Sequence, residues 1–226
     1  MEQVIYYINR ANQRSERMLS IIDLLNAGTL NLPQAARLTA RIYAGSSFLV
    51  GAKPGSAGKT TVMGALLNMI PKYSVINLPI DGSDWRKSKE NEYILSYEIG
   101  AGHYDCYIWG ETLREFMRLG AEKRRIVSNI HADTLEEAYE QIVIINKSKE
   151  GHFNSFAVFI PIRIAGAKRI IEQISFFDGI KWNLEDNDIK LNEDETNISE
   201  FLLKCQKDKV VLIENVRNKW LEFKSE

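Results

Sequence analysis

"FLVGAKPGSAGKTTVMGALLNMI", residues 48–70, decides the fold. An apolar run ends at Gly51, small residues follow, and a helical apolar pattern begins after Lys59. That is the outline of a buried parallel strand, a tight turn and a helix. Gly58, Lys59 and Thr60 match the end of the phosphate-loop pattern G-x-x-x-x-G-K-[ST], but Lys53 stands where the pattern opens with glycine. A phosphate cradle needs small residues, so that backbone N–H groups can turn inward, and a helix N-terminus behind them. Gly55, Ser56, Ala57 and Gly58 supply the first, and the helix opening at Lys59 supplies the second. On this reading residues 53–61, from Lys53 and Pro54 to Thr60 and Thr61, form the loop. Lys59 reaches the β- and γ-phosphates and Thr60 ligates Mg²⁺. Pro54 removes one N–H, but away from the Lys59 end. The competing reading is a glycine-rich turn with an incidental lysine; the strand before and the helix after favour the cradle.

Outward from this stretch, strand and helix alternate over residues 46–147. "YSVINL", "YILSYEI", "YDCYIWG" and "RIVSNIHA" read as strands. "ETLREFMRLGAE" and "TLEEAYEQIVIINKS" read as helices, the second with Leu135, Ala138, Ile142 and Ile145 on one face and a Thr134/Glu137 capping box. The helix after the loop has Val62, Leu66, Met69 and Ile70 inward and stops at Pro71. The alternation predicts a mostly parallel, three-layer α/β sheet. "SFAVFIPIRIA" and "RIIEQISFFD", joined by "GAK", predict an antiparallel hairpin at one edge. Three segments follow: helices over residues 1–45, the core over 46–182, and a tail over 183–226. In the tail, residues 183–200 read as an acidic linker or solvated loop and roughly 198–224 as an amphipathic helix or a pair of them.

The 226 residues are 45% hydrophobic and 26% charged, with a net charge of −1, which gives no support to a nucleic-acid or membrane-surface binder. Cys106 and Cys205 sit in no metal-type spacing and read as small apolar groups in a reducing compartment. No apolar run spans a bilayer, and the polar N-terminus does not read as a signal peptide, so a cytoplasmic location is expected.

Two further sites could carry chemistry. Glu111 ends the apolar "YDCYIWGE" and could bind Mg²⁺ or polarise a water; alternatively it starts a helix, where an acid suits the dipole. His131 ends the strand "SNIHADTLEEA" and could reach a γ-phosphate; alternatively it is a cap histidine. In the order GKT, strand–GE, strand–IHA–helix, the chain resembles the type II/type IV secretion ATPases, the hexameric motors of pili, archaeal flagella and DNA or protein secretion. The resemblance runs from about residue 19 to 180, and "SNIHADTLEEA" is close to that family's histidine box. It implies a RecA-like P-loop fold, ATP as substrate with Mg²⁺, a homo-oligomer, and a secretion or pilus membrane platform as partner. It also implies Glu111 as general base or water-orienting group and His131 as γ-phosphate sensor.

The departures are Lys53, Asn77 and Leu78 in place of the acidic box (leaving Asp81 as the nearest carboxylate), and Arg124 and Arg125 in place of a Gly-His pair. Only 45 residues precede the first strand, where the family has a large domain. A second reading is therefore a nucleotide-dependent binding or regulatory protein without motor activity; a third, less supported, is a DNA-translocating ATPase. Arg114, Arg118, Arg124 and Arg125 are candidates to face a neighbour's phosphate or to form a solvated face. Arg86 is similar, and Trp85, in a polar loop, is a candidate partner anchor.

Overall fold

The computed structural model describes residues 3–12, 17–78, 84–102, 104, 106–185 and 190–225. The chain begins with α1 (Gln3–Ala11), α2 (Ile21–Asn26) and α3 (Leu32–Tyr43), then β1 (Phe48–Gly51), α4 (Lys59–Leu67) and β2 (Ile76–Asn77). Next come β3 (Tyr93–Leu95), β4 (Glu98–Ile99), β5 (Tyr107–Ile108), α5 (Gly110–Ala121) and β6 (Arg125–Ile130). Helix α6 (Leu135–Tyr139) runs into a π-helical turn, Glu140–Ile145, and is followed by α7 (Glu150–Phe153). The last strands are β7 (Val158–Pro161), β8 (Arg163–Ala165), β9 (Lys168–Ile170), β10 (Ser175–Phe177) and β11 (Trp182–Leu184), before α8 (Glu193–Lys207) and α9 (Ile213–Phe223).

The main sheet has the order β11-β10-β7-β1-β6-β3-β2. From β7 to β2 every pairing is parallel, while β10 and β11 add antiparallel at the edge. This is the RecA-like three-layer plan expected from the sequence. Alternation along β1 separates the two faces. Phe48 and Val50 enter a core shared with α1, α2, α3, α4, α8 and α9, and Leu49 enters the opposite core with Phe116, Ile142 and Phe153. Helix α4 is buried on all sides, so its apolar residues form no single stripe.

Four details depart from the sequence reading. The expected strand "YILSYEI" is two short ones. Ser96 N–H still reaches Val127 O at 3.0 Å, but Tyr97 N–H turns to Cys106 O at 3.0 Å, so the chain changes partner there. The two stretches joined by "GAK" do pair antiparallel at the edge, β7 with β10, but the turn itself is a separate ribbon, β8–β9, turning at Gly166, because the chain leaves the sheet after Pro161, and β11 extends the edge. The acidic stretch is helical from Glu193. An Asn192/Glu195 capping box starts α8, and acids in its first turn suit the helix dipole. Finally, the π turn rotates Ile145 off the inner face, where it is 54% exposed. Asn146 N–H bonds Gln141 O at 3.2 Å, the i→i−5 pattern, and Asn146 Oδ1 then accepts from Gly110 N–H at 2.7 Å at the start of α5.

Gly51 ends β1 at a point of close approach. A Cβ there would lie 2.4 Å from Ala132 O and 2.7 Å from Phe159 Cζ. Gly51→Ala is expected to destabilise the chain by about 1–3 kcal/mol, read as a lower urea midpoint at unchanged slope.

Candidate functional site

The loop between β1 and α4 lies at the C-terminal edge of the parallel strands, where ligands of open α/β sheets bind. Gly58 caps α4 with φ +93°, a left-handed conformation that leaves the helix N-terminus free of a side-chain cap. Ser56 also has positive φ, at 62°. The turn wraps around a cavity of about 320 Å³. Gly55, Ser56, Ala57, Gly58, Lys59, Thr60 and Thr61 line it from the loop, and Tyr97, Glu98, Tyr107 and His131 face them from the neighbouring strands.

Lys59 is buried although charged, and its surroundings account for this. Its Nζ donates to Ala52 O at 3.2 Å and lies 3.4 Å from Glu98 Oε1. Glu98 is carried by β4, at the end of the third parallel strand line, and its side chain is only 8% exposed. Burial raises its carboxyl above the ordinary carboxylate range, while Lys59 and His131 pull it back. Its Oε1 is occluded and held in the ion pair with Lys59, while the residue lines the cavity. His131 Nε2 lies 3.7 Å from the same oxygen.

The structure thus brings Lys59, Thr60, Thr61 and His131 together, with residues 55–58 around them. It does not bring Glu111 there. Among the described residues β5 pairs only with β4, so α5 begins one strand beyond the acid-bearing one. Glu111 sits exposed in the first turn of α5 and lines a separate, larger cavity with Arg86, Arg114 and Arg118. The carboxylate beside the loop is Glu98, which the sequence reading passed over. The signal was present: an acid within the apolar "YILSYEI", where a buried carboxylate needs a partner.

Lys53 and Pro54 lie at the mouth of the loop and do not line the cavity. Lys53 Nζ donates to Glu137 Oε1 at 2.5 Å instead. Glu137 consequently makes half of the expected capping box. Its N–H bonds Thr134 Oγ1 at 3.2 Å, while its carboxylate turns to Asp133 N–H and Lys53. Trp85 is 7% exposed and packs on Phe116, so it belongs to the core and not to a partner surface.

The arginines after β5 are engaged locally. Arg114 donates to Asn146 O and Arg118 to Glu115 and Glu122; Arg124 donates to Ser88 O, and Arg125 stacks over Tyr93. Asn77 Nδ2 donates to Glu92 Oε2 at 3.1 Å, within the sheet's far edge, and Asp81 lies outside the described residues. Cys106 and Cys205 are not joined in a disulfide. Among the described residues no helix is long and apolar enough to cross a membrane, and no group of three His, Cys, Asp or Glu could hold a metal by itself.

No protein-family model matches the chain, and no curated protein matches its sequence. Among solved structures it is similar to the VirB11 ATPase from the Brucella suis type IV secretion system in complex with sulphate, at 17% identity and a TM-score of 0.47. The match covers 74% of this chain and 58% of that one. The likeness is one of fold alone.

Proposed function

We propose that the chain binds ATP with Mg²⁺ in the loop cavity and hydrolyses it to ADP and phosphate. The observation that carries this reading is the buried ion pair at the loop cavity, with Lys59 Nζ at the N-terminus of α4 3.4 Å from Glu98 Oε1. A buried cation at a helix N-terminus on one side, with a buried carboxylate on the other, suits a polyanion and the water that attacks it.

The residues present also fit magnesium, since Thr60 lines the cavity beside Lys59 and the carboxylate faces them. The ion would be held by Thr60 and the nucleotide itself, and when bound it would neutralise charge on the phosphate oxygens. Lys59 and the loop N–H groups bind and orient the phosphates. Glu98 orients the attacking water and accepts its proton. His131 borders the cavity at the γ-phosphate side. The choice of ATP, a homo-oligomeric (hexameric) assembly, a secretion or pilus membrane platform and a cytoplasmic location belong to the same reading through the sequence resemblance.

Phosphate release from Mg²⁺–ATP by the purified chain tests the reading. Turnover above background, abolished by removing Mg²⁺, is the expected result; no binding of ATP at all overturns it. Asn77, turned into the sheet edge, favours a second reading, because it leaves no acid in place of the resemblance's acidic box. That reading is a nucleotide-dependent binding protein. It predicts ATP binding without turnover and a change in solution mass or partner affinity on binding.

A further inference from the structure

Lys53, the residue that breaks the loop pattern, makes three contacts with the segment after β6. Its N–H donates to Asp133 Oδ1 at 2.7 Å and its Nζ to Glu137 Oε1 at 2.5 Å. Its carbonyl oxygen lies 2.9 Å from His131 Nδ1. A carbonyl oxygen only accepts, so Nδ1 carries the hydrogen in that contact. Lys59 Nζ is 3.4 Å from the same nitrogen, a longer contact than the 2.9 Å one to the Lys53 carbonyl, so the shorter bond sets the place of the proton. The far nitrogen, Nε2, is then bare in the neutral ring and faces Glu98. Gln141 Nε2 fixes the other end of the residue, donating to His131 O at 2.7 Å.

We infer that Lys53 is a positioning residue: by anchoring the mouth of the loop to Asp133 and Glu137, it holds its own carbonyl on His131 and selects the Nδ1–H tautomer. The imidazole thereby presents an acceptor nitrogen to the Glu98 side of the cavity. A glycine in its place keeps the bond to Asp133 but loses the ammonium–carboxylate tie. With Lys53 and Glu137 side chains 56% and 30% exposed, the tie is modest, so its removal loosens the ring without unfolding the chain. The charged groups around the ring are Lys59, Glu98, Asp133 and Glu137, and Tyr97 and Tyr107 share the cavity wall with Asn12 and Met18.

The consequence for turnover rests on the nucleotide reading above; the tautomer does not. The test is imidazole ¹⁵N NMR of the ligand-free chain at a pH where the rings are neutral, with only three histidines to assign. Wild type is expected to show His131 as the Nδ1–H form. Lys53→Met is expected to shift it toward Nε2–H, and Lys53→Arg to restore it. In phosphate release, Lys53→Met is expected to lower kcat about fivefold, the rate equivalent of a weak exposed ion pair, with ATP affinity within about threefold of wild type. A wild-type His131 that is already Nε2–H, or a tautomer unmoved in Lys53→Met, overturns the inference. A tautomer that responds in a chain that binds no ATP upholds Lys53's role and sinks the nucleotide reading, so the two failures are distinct.

Discussion

Glu98→Gln is expected to lower kcat for ATP hydrolysis by about 10²–10⁴-fold, with ATP affinity little changed. The amide keeps the shape of the side chain but cannot take a proton from water. Glu111→Gln, in the separate cavity on α5, is expected to match wild type. Stability needs its own measurement, because Glu98→Gln also takes the counter-charge from the buried Lys59 ammonium. Burial holds the Glu98 carboxyl above its ordinary value of 4.5, so the folded state binds the proton more tightly than the unfolded chain does. The stability this gives is fully present below that value and is lost as pH rises through the raised one. Glu98→Gln removes this slope and, at the same time, the partner of the Lys59 ammonium. Urea midpoints at pH 5 and pH 8, measured beside the rates, separate chemistry from folding. Equal losses in both glutamine variants, or a loss only in Glu111→Gln, would return the base to α5.

Arg217→Ala is expected to destabilise the chain by roughly 3–5 kcal/mol, the largest stability effect of any single change considered. Arg217 is 1% exposed and lies on α9, yet it serves α4. Its guanidinium donates to Asn68 O at 2.8 Å, to Ile70 O and to Pro71 O at 3.2 Å, carbonyls at and just beyond the C-terminus of the loop helix. A helix end exposes carbonyls without intrahelical partners and carries partial negative charge, which a cation offsets. Trp220 adds a donor to Met69 O at 2.7 Å, and Asn68 Nδ2 returns a bond to Ile213 O at 2.9 Å. Removing the guanidinium leaves several buried acceptors without a partner. Arg217→Lys, with one compact ammonium in place of a fork of donors, should recover only part of the loss. Both are read from urea or thermal unfolding, and an Arg217→Ala loss below about 1 kcal/mol would show that the clamp is not needed. Because α4 carries Lys59, such a variant should also weaken nucleotide binding.

The parts legible in the sequence are those where hydrophobic period and turn chemistry agree. β1, the loop and α4 were read from an apolar run, small residues and a helix start, and β6 with α6 from an apolar strand followed by Thr134. The edge of the sheet was legible in kind but not in detail. A hairpin pattern cannot show that the chain leaves the sheet after Pro161 and that β11 extends the edge. Glu98 was missed because a strand acid is ordinarily solvent-facing, and only the packing of β4 against β6 and α4 buries this one. Trp85 was misread for the converse reason, since polar neighbours in sequence do not reveal Phe116 in space. The π turn leaves no period in the sequence, and Ile145 looked inward for that reason. Lys53 was an anomaly in a pattern, and its meaning needed Glu137, 84 positions away.

The central claim is that Lys59 holds a nucleotide's phosphates in this cavity. Titration calorimetry of Mg²⁺–ATP into wild type and Lys59→Ala tests it most directly. The account predicts saturable binding to wild type and an affinity weaker by about a hundredfold, or roughly 2.7 kcal/mol, in the variant. Equal affinity in the two chains, or no binding to wild type, would contradict it.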